Sequence, residues 1–464
     1  MKKVVVIGSG PGGYYSAICL ANAGLTVSLI ERKNVGGTCL NVGCIPTKVL
    51  LDHLSLFEHF KESTSKKKIF SASDIKINLE ELKAYQADVI KQLQQGLDKL
   101  LKKKKINLIL GSAKLVAENK MQVKKPDGSI QEVMCDEIII ATGSKPRSIP
   151  GFEFDEKKIV SSDDVWNIPK VPAKLLVIGS GPIGIEFARI FNALGSKVTV
   201  VEIQEKICPI LDIEISENLV RSLKRRGITV KSNFASKLFS KNENSITVEF
   251  ISTQDSNKEK EEFDQVLVAV GRKPNTANLG LEDINLELDP AGFVRVSKNL
   301  CTNKKNIWAV GDITNYPQLA HTASFQARIV SENILGHNTE FCSNYIPSCI
   351  FGYPEIAFVG EREEDLKEKN ISYKIGRSLF LASGKAKASG LTEGIVKVLV
   401  EENSHKLLGA HIIGPEASNL VHELVVAMQN NITVDKLTGS IHAHPTYSEV
   451  VLEAFEDSIG KSVH

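Results

Sequence analysis

Short, unbroken apolar runs closed by glycine recur along this chain. Val4 to Ile7 leads into Gly8, Gly10 and Gly13. A helical pattern over "YYSAICLANAG" stops at Gly24, and a second apolar run, "LTVSLIE", ends at Glu31. An apolar run without polar alternation fits a strand buried on both faces, as in a parallel sheet. Strand, glycine turn, helix and strand in that order form one βαβ unit.

The same unit returns as "LLVIGSGPIGIEFARIFNALGSKVTVVE". Gly179, Gly181, Gly184, Gly195 and Glu202 follow Gly8, Gly10, Gly13, Gly24 and Glu31 by 171 positions each. One glycine motif is weak; agreement at five positions in the same strand context is not chance. The glycines permit a tight turn and let the backbone approach a pyrophosphate, while the helix N-terminus offers that anion free N–H groups. An acidic residue at the end of the second strand, the place of Glu31 and Glu202, accepts hydrogen bonds from a ribose hydroxyl. The repeat predicts two dinucleotide sites.

Three further apolar runs end in this way: "IIIATG" at Gly143, "VLVAVG" at Gly271 and "IWAVGD" at Asp312. Ligands sit just past such strand ends in open α/β sheets. The first closes an insertion into the first nucleotide domain, the second closes the second, and the third returns the chain to the first nucleotide. Within the insertion, Leu79, Leu82, Val89, Leu93, Leu97 and Leu100 form a helical stripe that is expected to be core. From about Tyr345 the pattern changes. "IVKVLVEENSHKLLGAHIIG" predicts strand, turn and strand, "ASNLVHELVVAMQNN" a helix, and "TVDKLTG" opens another. The expected fold is α/β: two Rossmann-like dinucleotide-binding domains plus a separate C-terminal α+β domain, for which the family resemblance described below implies the role of interface domain. The boundaries fall at 1–145 and 146–273 for the nucleotide domains, 274–344 for a return segment completing the first, and 345–464 for the last.

With 464 residues, 42% apolar and 24% charged, the chain reads as an ordinary globular protein with room for a large core. A formal net charge of +2 gives no field that would draw nucleic acid. The runs Lys66 to Lys68 and Lys102 to Lys105 read as solvated ends. The N-terminal apolar run is too short for a signal peptide, no apolar stretch reaches the ~18 residues of a membrane span, and no Ser/Arg-rich transit segment is present. A cytoplasmic protein without membrane contact is expected. Eight cysteines in that compartment argue against a structural disulfide framework.

Two cysteines stand apart. "GGTCLNVGCIPTK" sets Cys39 and Cys44 in a glycine-rich stretch after Glu31, close to where the first nucleotide must lie. A metal would need about four ligands and only His53 is near, so no metal is expected. Core packing suits Cys19 and Cys135 but does not explain this placement. In a regular helix five residues rise about 7.5 Å, beyond the ~7 Å that a bridge spans. A bridge here needs a distorted backbone, which Gly43 permits, with Pro46 in the first turn of the next helix. A bridge in a strained site is reducible, hence catalytic rather than structural. Nucleotide, reducible dithiol and second nucleotide form an electron relay, and a flavin links hydride to dithiol chemistry. A dithiol substrate must first lose a proton. "HAHPTYSE" supplies His442, His444 and Glu449: histidine for the transfer, a carboxylate to fix its tautomer.

Taken together, "GGTCLNVGCIPTK", both fingerprints, "ATGS", "AVGRKPN", "AVGD" and "HAHPTYSE" resemble the pyridine nucleotide-disulfide oxidoreductases, from residue 3 to about 460. Within that family the resemblance is to the branch that oxidises dihydrolipoamide in 2-oxo acid dehydrogenase complexes. Thr47 stands where the family more often has Ser. The resemblance implies FAD on Gly8, Gly10 and Gly13, with Glu31 on its ribose, Ala113 passing the adenine, Gly143 nearby, and Asp312 and Ala320 on the ribityl side. It implies Lys48 beside the flavin ring, paired with Glu186. NAD would occupy Gly179, Gly181 and Gly184, with Glu202 on its ribose and Ala235 and Gly271 lining the site. Cys39 would exchange with substrate and Cys44 face the flavin. His444 would be the base, with Glu449 behind it. It would come from the partner subunit of a homodimer joined through the C-terminal domain. Lipoyl domains of the E2 components would be the protein partners.

A reductase of the glutathione type would want arginines after the second nucleotide strand, where "VVEIQEK" has Glu202. A mercuric-type reductase would want a C-terminal cysteine pair, which "EDSIGKSVH" lacks, and a transhydrogenase of similar fold would lack Cys39 and Cys44. A non-catalytic nucleotide-binding assembly subunit would have no use for Cys39, Cys44, His444 and Glu449 together.

Overall fold

The computed structural model describes residues 2–65, 68–71 and 75–463, so most of the basic run Lys66 to Lys68 lies outside the described residues. The chain divides into two compact units. The first contains Met1–Val49, Asn78–Arg147 and Arg272–Ser343; the second contains Leu50–Ile77, Ser148–Gly271 and Asn344–His464.

The first unit is built on a five-stranded parallel sheet. Its order is Ile307–Ala309, Glu137–Ile140, Lys3–Ile7, Thr26–Glu31 and Asn107–Leu110. The unbroken apolar runs are its inner strands: Val4, Val5, Val6 and Ile7 are buried, as are Ile138, Ile139 and Ile140. Because every strand is parallel, the glycines that follow them gather at one edge. The run ending at Asp312 does return to this sheet, pairing with Glu137–Ile140. An antiparallel sheet of Ser112–Ala117, Lys120–Lys124 and Ile130–Met134 completes the unit.

The second unit repeats the design. Its parallel sheet runs Thr229–Lys231, Lys197–Val201, Lys174–Ile178, Gln265–Val268 and Ile159–Val160. Phe152, Phe250 and Phe263 lie in the core between this sheet and a three-stranded antiparallel one. The C-terminal part is a five-stranded antiparallel sheet, Ser348–Ile350, Glu355–Gly360, Leu407–Gly414, Ile395–Glu401 and Tyr373–Leu379. Helices Ala417–Gln429 and Ser448–Ser458 pack on it. "TVDKLTG" yields only the single turn Val434–Leu437.

One expectation fails. The helix Leu79–Lys103 forms, but its leucine stripe is not core. Leu82 is buried, whereas Leu93 is 43% and Leu100 38% exposed. The period reports amphipathicity, not what covers the stripe. A helix of 25 residues is about 37 Å long, and it outruns the short strands of its own unit.

Candidate active site

The two glycine turns adopt the same geometry. Gly8 and Gly179 have φ of 99° and 97°, in the left-handed region. A Cβ on Gly13 would fall 1.8 Å from the Gly8 carbonyl oxygen, and one on Gly184 2.1 Å from that of Gly179. Only glycine lets strand and helix approach so closely. The helices Pro11–Asn22 and Pro182–Ala193 start with proline after Gly10 and Gly181, and no side chain caps either N-terminus. Free N–H groups beside a bare backbone fit a pyrophosphate at both places.

Both acidic strand ends are oriented alike. Glu31 Oε2 accepts from the Ser9 N–H at 2.9 Å and its hydroxyl at 2.7 Å; Glu202 Oε2 accepts from Ser180 at the same two distances. Sequence reading missed Ser9 and Ser180, although they too lie 171 positions apart. The Gly111 N–H donates to the Glu31 carbonyl at 2.8 Å, which brings the strand bearing Ala113 beside the first carboxylate. The Phe234 N–H donates to the Glu202 carbonyl at 3.0 Å and does the same for Ala235. Gly143 and Gly271 have positive φ, 68° and 105°, with no atom within 4 Å of where a Cβ would stand.

Asp312 lies in the turn Gly311–Ile313. Its Oδ2 accepts from the Ser144 hydroxyl at 2.6 Å, and Arg272 Nε donates to that same hydroxyl oxygen at 2.7 Å. Ser144 and Arg272 were not singled out from sequence. Ala320 opens the helix Ala320–Ile334, which also lacks a side-chain cap.

Cys39 sits in the short helix Gly37–Asn41, and Cys44 starts the helix Cys44–Ser65. This segment lies directly against the first fingerprint. The Gly36 N–H donates to the Ser9 carbonyl at 3.0 Å, and a Cβ on Gly37 would meet Gly10 Cα at 2.6 Å. The turn between the cysteines is tight: the Val42 and Gly43 N–H groups both donate to the Thr38 carbonyl, at 3.0 and 2.7 Å. Gly43 serves there by its small size, since a Cβ would stand 3.0 Å from that carbonyl oxygen. Thr47 closes the turn, its hydroxyl donating to the Gly43 carbonyl at 2.6 Å. Both cysteines are thiols. A hydrogen bond with Cys44, then burial, pushes the Cys39 thiol upward, while the Lys48 charge pulls the other way. Burial, then the neighbouring Cys39, also pushes up the Tyr14 phenol. Glu186 belongs to the second unit, where it is buried and accepts from the Phe351 N–H at 3.0 Å.

The two histidines of "HAHPTYSE" separate clearly. His442 Nε2 lies 3.0 Å from Glu423 Oε1 and its Nδ1 3.1 Å from the Ser440 carbonyl, with the side chain 8% exposed. Both its nitrogens are engaged. His444 Nδ1 lies 2.8 Å from Glu449 Oε1, and its side chain is 77% exposed. Glu449 also accepts from the Thr446 N–H at 2.8 Å. Burial acts to raise the Glu449 pKa, but the Thr446 N–H and then His444 outweigh it and hold the group below its ordinary value.

Residues 2–327 match the family model of the pyridine nucleotide-disulphide oxidoreductases, and residues 346–455 match that family's dimerisation domain. The mitochondrial dihydrolipoyl dehydrogenase of Canis lupus familiaris is 39% identical over 467 residues, covering 99% of this chain and 91% of its own. Mitochondrial dihydrolipoyl dehydrogenase 1 of Arabidopsis thaliana is 38% identical, covering 100% and 91%. Among solved structures, LpdA from Mycobacterium tuberculosis superposes with a TM-score of 0.90 at 26% identity, over 98% of this chain and 99% of its own. The HOCl-induced flavoprotein disulfide reductase RclA from Escherichia coli gives 0.86 at 27%, over 98% and 99%.

Proposed function

From a chain that belongs to the pyridine nucleotide-disulphide oxidoreductases, we infer an FAD-dependent dihydrolipoyl dehydrogenase that oxidises protein-bound dihydrolipoamide and reduces NAD. The observation that carries this reading is the Cys39–Cys44 pair lying against one dinucleotide cradle in a chain with a second, equivalent cradle. Gly8, Gly10, Gly13, Glu31, Ala113, Gly143, Asp312 and Ala320 would hold FAD. Lys48 would lie by its ring, with Glu186 as counter-charge. Gly179, Gly181, Gly184, Glu202, Ala235 and Gly271 would hold NAD. FAD, when bound, supplies the two-electron link between dithiol and pyridine nucleotide.

His444 Nε2 takes a proton from the substrate dithiol, because Glu449 holds Nδ1 as the donor nitrogen. The substrate thiolate attacks Cys39 Sγ of the oxidised pair, and Cys44 leaves as a thiolate. The second substrate sulfur then displaces Cys39, which closes the cyclic disulfide of lipoamide and leaves the pair reduced.

The match to the dimerisation domain supports a homodimer, and in such a dimer His444 would be supplied across the interface. Lipoyl domains of E2 components fit as protein partners, and the cytoplasm as the compartment. Among the described residues, no helix is long and apolar enough to cross a membrane. The test is to mix the purified protein with dihydrolipoamide and NAD and follow NADH appearance, with a visible spectrum of the same sample. NADH formation with a flavin spectrum that changes on dithiol addition is expected; a colourless protein or a silent assay overturns the reading.

A further inference from the structure

The helix Leu79–Lys103 buries one polar side chain that its leucine pattern does not call for. Gln86 is 7% exposed, and its Nε2 donates to the Pro46 carbonyl at 2.9 Å, across 40 residues of sequence. Two turns further along, Gln94 Nε2 donates to Asn41 Oδ1. Asn41 is itself fixed, since its Nδ2 donates to the carbonyls of Val35 at 3.0 Å and Gly37 at 2.7 Å. These two anchor points bracket the cysteine turn. Asn41 ends the helix that carries Cys39, and Pro46 lies in the first turn of the helix that carries Cys44. One helix therefore grips both sides of the dithiol from positions about 12 Å apart along its axis.

We propose that Gln86 and Gln94 are positioning residues that hold the Cys39 and Cys44 helices at a fixed separation and thereby bias the pair toward its disulfide. The proposal rests on reading Cys39 and Cys44 as the redox pair. When the bridge opens, nothing covalent but the short turn keeps the two sulfurs together. Anchors on a common helix stop the two segments drifting apart, so the effective concentration of one thiol at the other stays high. Each glutamine acts through the backbone or side chain it holds. A hydrogen bond to a buried carbonyl also has direction, which a leucine at position 86 would not supply. Without an anchor the reduced pair gains conformational freedom that the bridged pair cannot, and the equilibrium moves toward the dithiol.

The test uses the FAD-loaded protein in graded mixtures of reduced and oxidised dithiothreitol without oxygen, followed by acid quench, alkylation and mass analysis of the cysteine peptide. In the exchange the bridge takes two electrons and two protons from dithiothreitol, which closes to its cyclic disulfide. The protein is left with thiols on Cys39 and Cys44. Gln86→Met and Gln94→Met keep length and packing but remove the donor. Each should shift the equilibrium toward the dithiol by about fivefold, the value of one ordinary hydrogen bond. Gln95→Met, on the exposed face of the same helix, should leave it unchanged. Should Gln86→Met fail to fold, Gln94→Met at a half-buried position carries the test. If the unaltered protein never forms the bridge, the redox reading itself fails. If it titrates normally and both methionine variants coincide with it, the brace is refuted and the redox reading stands.

Discussion

His444 Nδ1 lies 2.8 Å from Glu449 Oε1, and this contact decides what each nitrogen of the ring can do. An ionised carboxylate accepts only, so the Nδ1 facing it carries the proton and Nε2 keeps its lone pair. With the Glu449 pKa held low by the Thr446 N–H and by His444 against the effect of burial, the carboxylate stays charged through the neutral range. His442 has a carboxylate too, but it meets Glu423 through Nε2 and a carbonyl through Nδ1. It has no nitrogen left for substrate.

His444→Ala should therefore slow reduction of the enzyme by dihydrolipoamide by roughly 10²–10⁴-fold, the usual worth of a positioned base. Stopped-flow mixing measures this directly. FAD content and NADH oxidation by an artificial acceptor should stay normal, and raising the pH should restore part of the rate by supplying substrate thiolate. Glu449→Gln should do less harm. A parallel fall in both activities would mean that His444 is structural, and a crippled His442→Ala would mean that the wrong histidine has been chosen.

Cys44→Ser removes the leaving sulfur and leaves Cys39 without its redox partner. The Gly8, Gly10 and Gly13 cradle is untouched, so FAD should remain bound at full stoichiometry while dithiol-dependent turnover vanishes. Near-normal turnover in this variant would end the relay assignment.

Much of this site is visible in the chain because its chemistry needs rare residues at fixed spacing. Gly13 and Gly184 tolerate no Cβ, so their spacing marks the cradles. Ser9 and Ser180 are as closely involved but escape notice, because a serine in a glycine turn is ordinary until its hydroxyl is seen on Glu31 or Glu202. Ser144 and Arg272 meet across 128 residues, a distance no local pattern reports. The leucine stripe of Leu79–Lys103 misled for the opposite reason: periodicity gives a helix its apolar face but does not say what lies over it. Its two useful residues, Gln86 and Gln94, stand out only by what they reach.

Coenzyme choice should follow Glu202. Its carboxylate can accept two hydrogen bonds from a ribose diol and repels a 2′-phosphate. The unaltered protein should strongly prefer NAD to NADP in kcat/KM, and Glu202→Ala should narrow the gap, mainly by weakening NAD. Steady-state kinetics with both coenzymes settle it, and equal kcat/KM for the two in the unaltered protein would remove Glu202 from the ribose.

Lys397 offers a stability test away from the chemistry. Its fully buried Nζ lies 2.9 and 3.1 Å from the two oxygens of buried Asp212, 2.6 Å from Glu363 Oε2 and 3.4 Å from Glu214 Oε2. Asp212 also caps the helix Ile213–Arg225, accepting from the Glu214 N–H at 3.0 Å. Lys397→Met would leave buried Asp212 without its ammonium partner, while Glu363 keeps Lys367 and Glu214 keeps Arg377; loss of one partner from a buried pair costs about 3–5 kcal/mol. Burial acts to raise the Glu363 pKa, but Lys367 and Lys397 outweigh it and hold it at about 2 instead of the ordinary 4.5. A depressed carboxylate pKa gives stability that is present above the unfolded value and lost as pH falls through the folded one. The Glu363 share should thus disappear between about pH 4.5 and about 2. Burial, and in smaller part the Lys397 charge, lowers the pKa of His411, which adds an acid loss of its own from below 6.5 that is smaller in the variant and narrows the gap between the two proteins in the same direction. The informative quantity is that gap. Urea unfolding should show that gap widest near pH 7 and closing toward pH 2. A gap that stays constant with pH would mean that Lys397 contributes packing and no charge pairing.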